Sequence, residues 1–350
     1  MLKESKLMQQ QPLHHRWPHR LAVLLVCVVF PLIWVGGLVT TYDAGMAVPD
    51  WPTTYGYNLL LYPWQTWVFG PWDLFIEHGH RLLGAFTGLL TIGVTMALWR
   101  YDGRRWLCWL GVAAIVLVLL QGGLGGMRVI YNDTRLAMLH GCVAPAFFAL
   151  CVCIAAFTSR WWKSTECVTP LQVGSRREAS SIQRLASLTT LIAFLQIILG
   201  AQLRHLPVDA PLAAFRTAVM AHLLIAGVMV VHGILLLHKI KILRIGDNTS
   251  PLRCSVLLLC MLIVSQWLLG AGTWVLKYSW PAWIVETNWT ASFVIRAEGW
   301  LQAVTVTAHV ANGSLILGTT VWLTLRAFRL LPAVEDPCWQ NSTFSREVLT

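Results

Sequence analysis

Four histidines stand at one depth in alternate apolar stretches of this chain: His80, His140, His222 and His309. Imidazole ligates transition metals and takes the axial position of haem iron. An ionisable ring inside an apolar helix is costly unless it faces a bundle interior and finds a partner. One such residue reads as a hydrogen-bonded core histidine. Four of them, two in each half of the chain, fit two bis-histidine haem sites better. Another metal, or unliganded structural or proton-pathway histidines, are the alternatives. Zinc or copper would want several ligands converging on one ion, usually with Cys, Asp or Glu alongside. A flat macrocycle between apolar helices asks for one imidazole on each face.

The sharpest local pattern is Glu77-His78-Gly79-His80-Arg81. Glu77 and His80 are i,i+3 and share a helix face, while His78 points elsewhere. A carboxylate beside a haem ligand can orient the ring, hold a water or shuttle protons. It is also simply favourable in the first turn of a helix. Haem propionates need cationic partners, and Arg81, Arg128, Arg135, Arg204, Arg216 and Arg296 lie near the same level. Each of these arginines reads equally well as a solvated helix end. His232 and His238 fall out of register with the four and read as structural or interfacial.

The elements that must position these groups follow from composition. The 350 residues are 56% hydrophobic and 12% charged, with 19 tryptophans. A soluble domain carries about twice that charged fraction. The apolar residues gather into blocks of membrane-spanning length, which is ~20 residues at 1.5 Å rise. Candidate spans are 21–41, 75–98, 106–126, 135–158, 183–203, 216–238, 254–276 and 301–325. The expected fold is therefore an all-α integral membrane protein of eight transmembrane helices. The first apolar run outlasts a signal peptide and reads as a retained span.

Net charge of +10 could suggest nucleic acid, but its distribution argues otherwise. With the N-terminus inside, nineteen Lys and Arg fall on the inner side and six on the outer. That split predicts cytoplasmic termini and histidines towards the outer face. Two longer outer segments, 42–74 and 277–300, are rich in Trp, Pro and Tyr, which excludes long regular helix and favours headgroup-level loops. Seven of the nine cysteines lie in or beside apolar blocks and read as small hydrophobes. Cys167 and Cys338 fall in segments expected to be cytoplasmic, where a structural disulfide is not expected.

An internal echo suggests duplication. Gln121, Leu124 and Gly125 recur as Gln196, Leu199 and Gly200 and again as Gln266, Leu269 and Gly270; the first span ends on Gly36, Gly37 and Leu38. Small residues there permit close helix packing. The simplest division is a 1–20 tail, a 21–158 half, a 159–182 linker, a 183–325 half and a 326–350 tail.

These residues resemble the haem A synthase family over about 21–325. The likeness is carried by Glu77-x-x-His80-Arg81, by His140 after TRLAMLHG, His222 in AHLLIAG, His309 in AHVANGSLIL and the TYDAGMAVPDWP segment. The resemblance implies a pseudo-twofold pair of four-helix bundles. His80 and His140 would flank the substrate, haem O, while His222 and His309 would hold a haem B cofactor, with Arg81 and Arg216 among the cofactor-binding groups. Glu77 matches a glutamate associated with catalysis, so Glu77, His80 and His140 are the expected catalytic set. The implied reaction oxidises the C8 methyl of haem O to a formyl group, making haem A for terminal oxidases, with water as oxygen source. Some members carry a cysteine pair in the first outer loop, whereas this chain has none between Cys27 and Cys108. Expected partners are the lipid bilayer, haem O, a haem O synthase, an electron acceptor and, as an option, a second copy of the chain; nucleic acid is not among them. The expected location is a bacterial-type inner membrane. A dihaem cytochrome b-type electron carrier is the main competing reading, and a haem or proton transporter the third. Histidines gathered on one side argue against a transmembrane haem route.

Overall fold

The computed structural model describes residues 16–163, 176–207, 209–242, 250–280 and 299–331. Eight long helices carry the architecture: α1 Trp17–Thr41, α2 Trp72–Tyr101, α3 Arg105–Tyr131, α4 Thr134–Thr158, α5 Arg176–Arg204, α6 Leu212–Ile242, α7 Ser250–Tyr278 and α8 Trp300–Leu330. All eight expected spans lie within these helices, each of which runs further at one end or both. The apolar block marks only the hydrocarbon layer. Backbone hydrogen bonding continues into polar turns where intrahelical partners remain available.

Seven of the eight are long and apolar enough to cross a membrane. The exception is α8, interrupted by Thr307, His309, Asn312, Ser314 and Thr320. Its polarity is shielded by protein, since α8 packs on α1, α4, α5 and α7. Polar side chains at membrane depth are tolerated where they face a bundle interior. The protein is thus a multi-pass, all-α integral membrane protein in contact with the lipid bilayer.

Contacts close two rings: α1 with α2, α2 with α3, α3 with α4 and α4 with α1, then the same cycle for α5 to α8. The rings meet through α1, α4, α5 and α8. Small residues permit that approach. A β-carbon at Gly37 of α1 would stand 2.9 Å from Thr307 of α8, and one at Gly318 of α8 would stand 2.8 Å from Phe148 of α4. The first ring is filled at one end by Leu25, Val29, Leu98, Leu107, Cys151 and Ile154. The second is filled at the corresponding end by Ala186, Leu236, Val256, Leu259 and Leu323. Towards the histidine end both rings are hollow.

Local signals set where α2 and α4 begin. Asp133 caps α4 by accepting from the backbone N–H of Arg135 and Leu136, at 2.6 and 3.3 Å. Asn132, left-handed at φ 46°, closes α3 immediately before it. Pro71 precedes α2, where Asp73 suits the positive end of the helix dipole. The first long connection contains no regular helix beyond a 3-10 turn at Ala44–Met46 and five residues at Trp64–Val68, as its prolines require. Most of the second, 281–298, lies outside the described residues, as do Arg296, Cys167 and Cys338. The seven described cysteines are free thiols.

Candidate functional site

The histidines enter from the starts of the even-numbered helices, six to ten residues in, or roughly 9–15 Å along the axis. Each ring is seated on a glycine of the helix before it. A β-carbon at Gly36 would lie 2.8 Å from Cε1 of His80, and one at Gly125 would lie 3.1 Å from Cε1 of His140. The corresponding distances are 3.2 Å from Gly200 to His222 and 3.1 Å from Gly270 to His309. Any side chain at these four positions would push the imidazole away. The sequence echo that reads as close helix packing is therefore, more particularly, a set of imidazole seats.

The same echo supplies a second contact. Gln121 donates its amide to the main-chain carbonyl of His140 at 2.7 Å, while Gln196 and Gln266 do so to His222 and His309, both at 3.0 Å. Each bond joins an odd-numbered helix to the next even one at the histidine itself. Sequence reasoning missed these glutamines as site residues. Their signal was present in the repeated Gln-x-x-Leu-Gly, but only the packing shows that the amide meets a histidine.

The rings then meet in twos. His80 and His140 have centroids 6.3 Å apart with planes at 78°, and His222 and His309 are also 6.3 Å apart, at 63°. Two imidazoles sharing one iron, with metal–nitrogen bonds of ~2 Å and about 1 Å more to each ring centre, would stand ~6 Å apart. His140 places Nδ1 3.0 Å from the carbonyl of Gln121, which leaves Nε2 for a ligand. Nδ1 of His222 is buried and makes no hydrogen bond, while the rings of His80 and His309 approach the backbone carbonyls of Leu32 and Gln266. Among the described residues no three His, Cys, Asp or Glu side chains converge as an ordinary metal cluster would need. Paired rings without further protein ligands suit a porphyrin, whose own nitrogens complete the coordination.

Both pairs border one cavity of about 1150 Å³. Single-ligand pockets usually run ~300–1,000 Å³. Its walls are mainly apolar; among the polar groups on it, Glu77, Arg81, Arg128, Arg204, His205 and Lys277 join the four histidines and the three glutamines.

Glu77 is 3% exposed. It accepts from Arg81 at 2.7 Å and from the backbone N–H of Val48 at 3.2 Å. Arg81 also donates to the carbonyls of Val48, Asp50 and Thr53 at 2.6–3.0 Å. Its guanidinium thus clasps the first long loop while still bordering the cavity. Asp50 stiffens that loop by accepting from Thr53, Tyr55 and Gly56. Burial opposes its charge, but these donors hold the Asp50 carboxyl below its ordinary range. Trp51 and Pro52, joined by a cis peptide bond, line the cavity, and the indole leaves no room for a side chain at Gly126.

The remaining candidates separate. Arg128 donates to the Gly45 carbonyl, and Arg204 to the carbonyl of Gly37 and the hydroxyl of Thr41, at 2.9 and 2.7 Å. Arg204 therefore ties α5 to the end of α1, between the two pairs. Arg216 is exposed on α6 and does not line the cavity, and neither does Arg135. His205, in the turn after α5, is held neutral to about pH 4 by burial and by the charges of Arg204 and Arg128. His78 bonds Thr54 at 3.1 Å and packs at a tilt against Tyr62 and Trp67, so it anchors the loop. His232 bonds Thr189 at 3.0 Å, and His238 is exposed on α6.

The profile of the COX15-CtaA cytochrome oxidase assembly proteins matches residues 19–215, more than half of the chain. That stretch contains Glu77, His80 and His140 and ends before His222 and His309. A protein named Heme A synthase from Shouchella clausii (strain KSM-K16) is 29% identical over 131 residues, which cover 36% of this chain and 40% of the relative. The chain thus spans about two-fifths of that relative's length. With a match that runs from α1 into α6 and includes the first histidine pair, the chain belongs to the COX15-CtaA family of cytochrome oxidase assembly proteins.

Proposed function

We propose that this protein is a haem A synthase: it oxidises the C8 methyl of haem O to a formyl group. The observation that carries the reading is the repeated histidine pair, twice at 6.3 Å, on one cavity. The first pair, in the 21–158 half, takes the substrate, and the second, in the 183–325 half, takes haem B. Haem B supplies a one-electron redox centre when bound there. Converting methyl and water into formyl releases four electrons and four protons, so an external electron acceptor completes the balance.

The two sites differ in the residues around them. Glu77 lies one helical turn before His80 and borders the cavity, with both oxygens held by Arg81 and Val48. It is a fixed acceptor beside the substrate site, suited to hold water or receive a proton. No carboxylate of the described residues stands beside the second pair in this way. Trp51 and Pro52 add apolar wall to the cavity from the first long loop. Arg128 and Arg204 offer positive charge to propionates. The charge split supports termini on the cytoplasmic side of a bacterial inner membrane and the cavity towards the outer face.

The test is expression of the whole chain beside a haem O-producing enzyme, followed by haem extraction and chromatography. Haem A appears, and it disappears with Glu77→Ala, His80→Ala or His140→Ala. A dihaem electron carrier would return only its resident haem. Full activity and an unaltered substrate-haem spectrum in both His80→Ala and His140→Ala would refute the site.

A further inference from the structure

Three of the four histidines share a device that the fourth lacks. Four residues before each imidazole-seating glycine stands a glutamine whose amide bonds that histidine's own carbonyl: Gln121 for His140, Gln196 for His222 and Gln266 for His309. Four residues before Gly36 stands Leu32, on the same cavity. Among the described residues no side chain donates to the His80 carbonyl as the three glutamines do to the other histidines; Leu32 offers the His80 ring only its own backbone carbonyl. In the second pair both members are bridged, and the amide nitrogens of Gln196 and Gln266 also reach the rings, at 3.3 and 3.4 Å from Nε2. The second pair is therefore symmetric in its support and the first is not.

We infer that Leu32 makes His80 the releasable ligand of the first pair, whereas Gln121, Gln196 and Gln266 are positioning residues that keep the other three histidines in place. The inference rests on the haem reading of the site. A histidine whose main chain is cross-bridged to the next helix cannot retreat from a ligand without breaking that bond. His80 has no such bond to break. An iron held permanently on both faces has no free position, so a substrate site gains from one ligand that lets go, and a cofactor site gains from two that do not. The asymmetry falls in the pair whose helix also carries Glu77, three residues before His80 and on the same cavity.

The experiment uses the whole haem-loaded protein, reduced and exposed to carbon monoxide, and reads difference spectra of the two haems. Wild type should bind carbon monoxide at the first pair only. Leu32→Gln should lower that binding by about fivefold, the ~1 kcal/mol of one added hydrogen bond, while Leu32→Met, of similar size and without a donor, should leave it unchanged. Gln266→Leu should move the other way and open the second haem to carbon monoxide without touching the Gly270 seat. Carbon monoxide binding equally at both pairs, or no change in both Leu32→Gln and Gln266→Leu, would overturn the inference while leaving the proposed function intact. A protein that takes up no haem at either pair would sink the proposed function, and this inference with it.

Discussion

Substituting Gly36 by alanine tests whether the glycine repeat is an imidazole seat or merely a site of close helix contact. The new methyl would meet Cε1 of His80 at 2.8 Å and Nε2 at 3.4 Å, where ordinary contact begins at 3.4 Å. The ring must then withdraw by roughly 0.6 Å, or α1 and α2 must part by as much, at a cost of ~1–3 kcal/mol for overpacking. Misplacement of a reacting group by ~1 Å costs on the order of a hundredfold in rate, so about tenfold is expected here. Gly93 of α2 is the control, since a β-carbon there meets nothing within 4 Å. The assay is haem content and absorption spectrum of the purified proteins, with a melting curve alongside. Gly36→Ala should lose or perturb haem at the first pair and spare the second. Gly200→Ala, with its 3.2 Å contact to His222, should act on the second pair and more mildly. If Gly36→Ala cannot be told from Gly93→Ala in haem content and spectrum, the seat does not exist as described.

Two further outcomes follow from ion pairs. Arg81→Met removes the clasp on Val48, Asp50 and Thr53 and strands a buried Glu77, a loss of ~3–5 kcal/mol for a broken buried pair. Limited proteolysis should cut within residues 44–62 faster, and Glu77→Gln in the same protein should restore part of the protection; an unchanged cutting rate would contradict the clasp. Asp102, just past α2, is opposed by burial but held well below the usual carboxylate range by hydrogen bonds from Arg104 and Lys163. Because the folded-state value is depressed, its contribution is complete above the unfolded value near pH 4 and is lost as pH falls further. Asp102→Asn should cost ~1.5–3 kcal/mol at neutral pH and flatten the acid side of a melting-temperature profile, with parallel profiles as the contrary result.

Much of the fold was legible because a bilayer imposes a coarse rule. A span must be long, apolar and internally hydrogen-bonded, so all eight helices could be located from hydrophobic blocks. Their ends were less so, since Trp72, Arg105 and Leu330 extend helices into segments that hydropathy does not distinguish from loop. For α8 the helix was legible but its place was not: interior position between the two rings explains its threonines, Asn312 and Ser314, which composition alone cannot assign to lipid or protein.

At the site, residue type and spacing determined which side chains could ligate. Four histidines at matched depth on alternate helices, with Glu77 one turn from His80, follow from the helical period and the cost of polar groups in hydrocarbon. Sequence also carried the glutamine–glycine echo, though not its meaning. The pairing of His80 with His140 and of His222 with His309 was already expected from the two halves; tertiary structure supplied its geometry, because α2 with α4 and α6 with α8 face one another only once the rings close. It decided among the arginines too. Arg216 and Arg204 look alike as helix-end cations, yet one is exposed on α6 while the other is drawn inward by Gly37 and Thr41 of α1. Such distinctions depend on which neighbour lies across a helix, and no local pattern along one strand of sequence encodes that.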